Sequence, residues 1–173
     1  MPVASRVEGD FHVNGGLSAK TMTLADSCVT NAKVAAAAAI DASKVIHQYT
    51  IDCELFGPAT TITALTKLLH IVRGATGTVV AFEGITITPA TGADRTVTID
   101  LQKSTGAGAF ATILTATIGF TDDTVARTAT AATLDTASLV DGDILQAVVT
   151  VAGSAGNQAL GLLLTLTLQE APA

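Results

Sequence analysis

The chain has 173 residues, a mass of 17.4 kDa, a formal net charge of −6 and a pI near 4.8. Aromatics make up only 3% and Trp is absent, so the chain lacks both the basic footprint and the stacking rings that nucleic-acid binding needs, and the ring platforms of stacked sugar binding. With 49% hydrophobic and 14% charged residues it is no disordered polymer, and a surface so poor in charge suits a protein that meets other protein surfaces.

The chain opens on Met1-Pro-Val-Ala-Ser-Arg-Val-Glu-Gly-Asp10, which holds no apolar run, so no secretory signal is expected. Phe11-His-Val-Asn-Gly-Gly-Leu-Ser-Ala-Lys-Thr-Met-Thr-Leu24 reads as two short strands around an Asn14-Gly15-Gly16 turn. Lys33-Val-Ala-Ala-Ala-Ala-Ala-Ile-Asp-Ala-Ser-Lys44 follows. Its alanines favour helix locally but offer little side-chain volume to pack. A two-stranded hairpin with an alanine run cannot make its own core, so this segment needs a partner: its own domain or other copies. Its charges cancel, whereas residues 49–173 carry five basic and eleven acidic groups, which is the whole −6. The boundary is therefore placed at His47–Tyr49, with an extended arm over 1–47 and a β-domain over 48–173.

From residue 48 onward the pattern is strand after strand. Ile62, Leu65, Leu68, Leu69 and Val72 have helical spacing, yet β-branched density and Gly74 favour a strand from about Lys67. A helical turn over Thr63–Thr66 and an extended path are both compatible with these residues. Ile85 and Ile87 alternate with Thr86 and Thr88, and Val97, Ile99 and Leu101 alternate with polar residues, the period-two signature of a half-buried strand. Leu114, Ala116, Ile118 and Phe120 are expected on one face, with Thr115 and Thr117 on the other. Ile144–Val151 and Leu162–Leu168 continue the scheme. The longest apolar stretch, Ala159–Leu168, is about half of what a membrane helix needs and reads as a buried strand. Turn clusters at Arg73–Gly77, Pro89–Asp94, Ser104–Gly108, Asp141–Asp143 and Ala152–Asn157 punctuate the strands at sandwich-like spacing. Roughly eight strands suit an all-β, jelly-roll-like β-sandwich.

The arm residues Gly9–Leu24, Ser27-Cys-Val-Thr-Asn31, Ala39-Ile-Asp-Ala-Ser-Lys44 and His47 resemble the N-terminal arms of tailed-bacteriophage virion proteins. Val97-Thr-Ile-Asp-Leu-Gln-Lys103 and Leu139-Val-Asp-Gly-Asp-Ile-Leu145 are similar to the small β-sandwiches of phage decoration proteins and fibres. These motifs are turns and strands, not a catalytic signature. The resemblance implies a homotrimeric capsid decoration (cement) or head-fibre protein whose arm grips the capsid or neighbouring copies while the jelly roll faces outward. Its partners would be the major capsid protein and itself, with no nucleic acid and no membrane, and its place the virion surface after synthesis in the host cytoplasm. The arm's large apolar residues, Phe11, Val13, Leu17, Met22 and Leu24, are the expected anchors; folding back onto the sandwich is the alternative use of them.

No residue pattern points to catalysis or a cofactor. His12, His47 and His70 form no metal-binding spacing, although a site across a trimer axis could take one histidine from each chain. Asp122-Asp123 and Asp141-Gly-Asp143 could offer oxygens to calcium, but neither follows the EF-hand pattern, and Asp beside Gly is ordinary turn chemistry. Cys28 and Cys53 form no CxxC and are expected as free thiols. A glycosidase's paired carboxylates would lack a ring-lined cleft. No nucleophile elbow or phosphate-binding glycine loop is present. The reading is a virion structural protein, not an enzyme; the alternatives are a phage tail-fibre or receptor-binding module and, more remotely, a carbohydrate-binding β-sandwich.

Overall fold

The computed structural model describes residues 47–73 and 76–171, all within the second of two units into which the chain divides, Ile40–Ala173. The arm with its turn, Cys28 and alanine run, and with Phe11, Val13, Leu17, Met22 and Leu24, lies outside the described residues. Among those described, every regular element is a strand: β1 His47–Thr61, β2 Leu65–Ile71, β3 Thr76–Thr88, β4 Thr96–Thr105, β5 Ala111–Thr112, β6 Leu114–Ala116, β7 Ile118–Phe120, β8 Thr130–Ala131, β9 Thr133–Leu134, β10 Ser138–Val140, β11 Asp143–Ala152 and β12 Leu160–Ala171.

All pairings are antiparallel and build two main sheets. One runs β1-β12-β3, with β8 and β10 both along the free side of β3. The other runs β2-β11-β4, with β5 and β7 both along the free side of β4. Taking β5–β7 as one interrupted strand and β8–β10 as another gives eight, in the orders 1-8-3-6 and 2-7-4-5. That is the jelly roll, two four-stranded sheets in which every chain connection except that between the fourth and fifth strands crosses from one layer to the other. The interruptions have a cause. β6 and β9 leave their own sheets and pair with each other, Leu114 opposite Leu134, so the sandwich is sewn shut along that side. Over those residues the two sheet edges cover each other.

The core fills the space between the layers. β12 contributes Leu162, Leu164, Leu166 and Leu168, and β4 contributes Val97, Ile99 and Leu101, all essentially inaccessible. Phe82 and Phe120 are the largest buried side chains. Full burial of such a side chain contributes about 1.5–3 kcal/mol.

Three local expectations change. Ile62–Ala64 makes no helical turn: Ile62 is buried and donates its N–H to the Ala159 carbonyl at 2.9 Å, and β2 begins at Leu65, two residues before the expected start. Pairing with β11 overrides the helical spacing. Along β3 the alternation is real but Thr86 and Gly84 face the core, while Ile85 and Ile87 lie half-buried on the outer face. Small residues are needed inside, where Gly84 abuts Leu164 and Phe120, and the Thr86 hydroxyl donates to the carbonyls of Thr88 and Leu160. Finally, Ala116 is exposed and Ile113 joins Leu114 in the core, because the chain changes partner at β6.

Candidate functional site

Strand order gives the domain two unlike ends. At one, β1 begins and β12 finishes beside the β2–β3, β4–β5 and β10–β11 connections. At the other gather the β1–β2, β3–β4, β7–β8 and β11–β12 loops. Each end and both outer faces carry a distinct feature.

At the entry end, Tyr49 of β1, His70 of β2 and Glu170 of β12 meet. The Tyr49 hydroxyl is 3.0 Å from His70 Nε2, which is 3.1 Å from Glu170 Oε1, and the two rings meet edge-on with centroids 5.9 Å apart. A carboxylate only accepts, so the ring N–H and the phenol both turn toward it. Burial first, and the Glu170 carboxylate second, push the Tyr49 hydroxyl up to about 12. This cluster ties edge strands of opposite sheets together; it is a clasp, with no adjoining nucleophile.

Nearby, Asp141-Gly142-Asp143 turns with Gly142 at φ 84°. Asp143 is fully buried, its Oδ2 accepts the Val140 N–H at 3.0 Å, and Lys103 Nζ stands 3.5 Å away. The lysine also donates to the Ser138 carbonyl at 3.0 Å. An ammonium therefore stands beside Oδ2 of this carboxylate, the same oxygen that accepts the Val140 N–H. Asp122-Asp123 sits in a turn capped by hydroxyls: Thr124 Oγ1 accepts the Thr121 N–H and Thr121 Oγ1 accepts the Asp123 N–H. Among the described residues no three His, Cys, Asp or Glu gather as a metal site. Cys53 is a half-buried free thiol, and His12 lies outside the described residues.

At the loop end, the β3–β4 and β11–β12 loops are knitted together. Asp94 accepts the backbone N–H groups of Ser154 and Ala155, which hold its carboxyl below the usual carboxylate range. Arg95 donates to the carbonyls of Ala155 and Ser154 at 3.1 Å each. Thr91 Oγ1 accepts the Asn157 N–H. Beside this lattice opens a cleft of about 550 Å³, bordered by Thr61, Thr88, Thr91, Asn157 and Gln158, a size in the range of small-ligand pockets. None of these residues was singled out by sequence reasoning. The turn-rich stretches Pro89–Asp94 and Ala152–Asn157 were visible as loops, but their mutual contact spans about sixty residues and has no local signal.

On the outer faces, β2 is an edge strand and presents Leu68, 61% exposed, and Ile71, 44% exposed, with half-buried Ile144 and Val148 of β11 beside them. The opposite outer face, on β1-β12-β3, carries the row Asp52–Thr165–Glu83 and then Glu54–Leu163–Ile85. A dimple of about 120 Å³ opens next to that second row, lined by Phe56, Pro58, Ile87 and Leu163 with Glu54 at its side.

No protein-family model and no curated protein matches the sequence. Among solved structures, the chain is similar to one described as the capsid of Ralstonia phage GP4, with 18% identity and a TM-score of 0.49 over 78% of this chain and 89% of that one.

Proposed function

We propose that the chain is a structural protein of a tailed-bacteriophage virion: a decoration (cement) protein that binds the outside of the capsid as a homotrimer and stabilises the head without catalysis. The observation that carries this reading is the polarity of the sandwich. His47 and Ala171 lie on neighbouring strands at one end, so whatever precedes residue 47 attaches there, and four loops are presented at the opposite end. Such a layout suits a domain held at its base by an arm and displayed outward. Many weak contacts made at once by linked copies then act as a clamp, because every contact after the first is made at high effective concentration.

The test is the copy number of the chain in purified virions, measured by quantitative mass spectrometry, together with capsid binding by a fragment lacking residues 1–46. Hundreds of copies and loss of binding by the fragment support the reading. A handful of copies, or full capsid binding by the fragment, retires it.

A second reading, a tail-fibre or receptor-binding module, is favoured by the loop-end cleft, whose threonine hydroxyls and amides suit a polar host ligand. A low copy number combined with binding of the free protein to host cells selects it, and binding to isolated glycans selects its carbohydrate-binding form.

A further inference from the structure

We propose that the cleft at the loop end binds a small carboxylate that also carries hydroxyls, a sugar acid of the uronic type, with Arg95 holding its carboxylate. The inference rests on the second reading above, in which this cleft is a ligand site, and it names the ligand class; the decoration reading stands or falls without it.

Charge comes first. Arg95 borders the cleft and donates through Nε and Nη2 to the carbonyls of Ala155 and Ser154, with the Gly156 carbonyl 3.5 Å from Nη2. Its Nη1 takes part in no hydrogen bond, and the guanidinium makes no ion pair among the described residues. The adjacent Asp94 carboxylate feels this charge but is engaged by the Ser154 and Ala155 amides. Among the described residues that line the cleft, Arg95 is the charged one. In a chain of net charge −6, this wall offers an anion a fixed cation and sets no carboxylate against it. A bond from Nη1 to a ligand carboxylate is of the strong, charge-assisted kind.

Unfilled hydrogen-bonding capacity comes second. Gln158 accepts the Ala159 N–H through Oε1 at 2.9 Å, which leaves its Nε2 shielded from water and without an acceptor. A buried donor of this sort calls for a partner. The hydroxyls of Thr61 and Thr88 and the side-chain amide of Asn157, all exposed, make no hydrogen bond among the described residues. Hydroxyls and amides both donate and accept, as the hydroxyls of a polyol do. Pro89 and Leu160 supply the apolar lining, with no aromatic ring, which suits a small hydroxylated acid better than a large apolar group.

The wall is also built in advance. Asp94 and Arg95 tie the β3–β4 loop to the β11–β12 loop, and Thr91 and Asn157 exchange two further bonds, the Thr91 N–H to the Asn157 carbonyl at 2.9 Å and the Asn157 N–H to Thr91 Oγ1 at 2.9 Å. A site already ordered loses little entropy when it binds, and about 550 Å³ lies within the range of small-molecule sites.

The experiment titrates the isotope-labelled full-length chain with digalacturonate and follows its backbone amides by NMR. The amides of Thr91, Arg95 and Asn157 should shift and saturate together. The dimethyl ester of the same sugar keeps the ring hydroxyls and loses the charge, and should bind about tenfold or more weakly. Acetate, which has the charge without the hydroxyls, should be weaker by at least as much. Asn157→Asp sets a carboxylate beside that of the ligand and should lower the affinity by about tenfold. Arg127→Ala removes an arginine that does not line the cleft and should leave the affinity within about twofold. Matching amide spectra verify that both variants are folded, and the ester and acetate comparisons need no variant. The proposal is overturned if the cleft amides do not shift, if the ester or acetate binds as tightly as the acid, or if Arg127→Ala weakens binding as much as Asn157→Asp. An ester that binds equally well discards the anion and leaves a neutral-sugar form of the receptor-binding reading, whereas no shift with either sugar removes both. Virion copy number tests the decoration reading separately.

Discussion

The Tyr49 hydroxyl lies 3.0 Å from Nε2 of His70, joining the first strand of one sheet to the edge strand of the other. The opposite side of the sandwich is closed by backbone pairing between β6 and β9. This side is closed by side chains, with Glu170 as the shared acceptor. A hydrogen bond of this kind contributes about 0.5–1.5 kcal/mol, more where a partner is charged.

Tyr49 is the sole tyrosine of the chain, so its ionisation can be followed directly by phenolate absorbance. The expected midpoint is about 12 against an ordinary 10.0. The folded-state value is raised, so the neutral phenol's contribution is fully present below pH 10 and is lost as pH rises toward 12. Tyr49→Phe should flatten the fall of stability over that alkaline window. A midpoint near 10 in the folded protein would show the hydroxyl to be in water and the clasp to be open.

Asp143 supports a different junction. Its side chain is fully buried, its Oδ1 has no hydrogen-bond partner among the described residues, and its main-chain carbonyl accepts the Val72 N–H at 2.8 Å. Asp143→Ala strands the Val140 N–H and removes the carboxylate beside Lys103, which keeps the Ser138 carbonyl, and should cost about 1–3 kcal/mol in urea unfolding. Asp143→Asn keeps an acceptor for Val140 and should cost less. Wild-type stability of the alanine variant would contradict this account.

The architecture was legible wherever alternation and burial agree. Val97, Ile99 and Leu101 read as core and are core, and the apolar run at Ala159–Leu168 became the central strand β12 between β1 and β3. Legibility failed where a distant partner decides. Gly84 is the inward residue where Phe120 and Leu164 crowd that side of β3, and Thr86 shares its face, a fact no window of a dozen residues contains. Ile113–Ala116 breaks its alternation because β6 turns to β9. The same holds for function-bearing features: Tyr49 and His70 are 21 residues apart and His70 and Glu170 are 100 apart. The arm anchors Phe11, Val13, Leu17, Met22 and Leu24 lie outside the described residues and stand as expectations.

Asp94 makes the loop end sensitive to acid. Hydrogen bonds first from the Ser154 N–H and then from that of Ala155 lower its carboxyl below the ordinary 3.8. A depressed folded-state value means the contribution is present above that ordinary value and is lost as pH falls through the folded one. Asp94→Asn should therefore reduce the steepness of acid unfolding below about pH 4. Chemical denaturation at a series of acidic pH values reads this directly, and an unchanged acid limb would show that the two amides do not depend on the carboxylate's charge.

The rigidity of the same loop pair is open to a paired substitution. Gly156 has φ 67° and a Cβ built there would stand 1.6 Å from the Thr91 carbonyl oxygen, whereas Gly106, at φ 57°, has nothing within 4 Å. Both alanine variants incur the left-handed backbone penalty, about 1–2 kcal/mol. Only Gly156→Ala must also push two loops apart, so it should cost more than Gly106→Ala by about 1–3 kcal/mol. It should also broaden the amide resonances of Thr91 and Asn157, whose mutual hydrogen bonds hold the loops together. Equal losses for the two variants would mean that the loops separate readily. The cleft beside them would then be a transient opening instead of a preformed one, and that outcome would weaken the receptor-binding reading specifically, since a ligand would have to order the site as it bound.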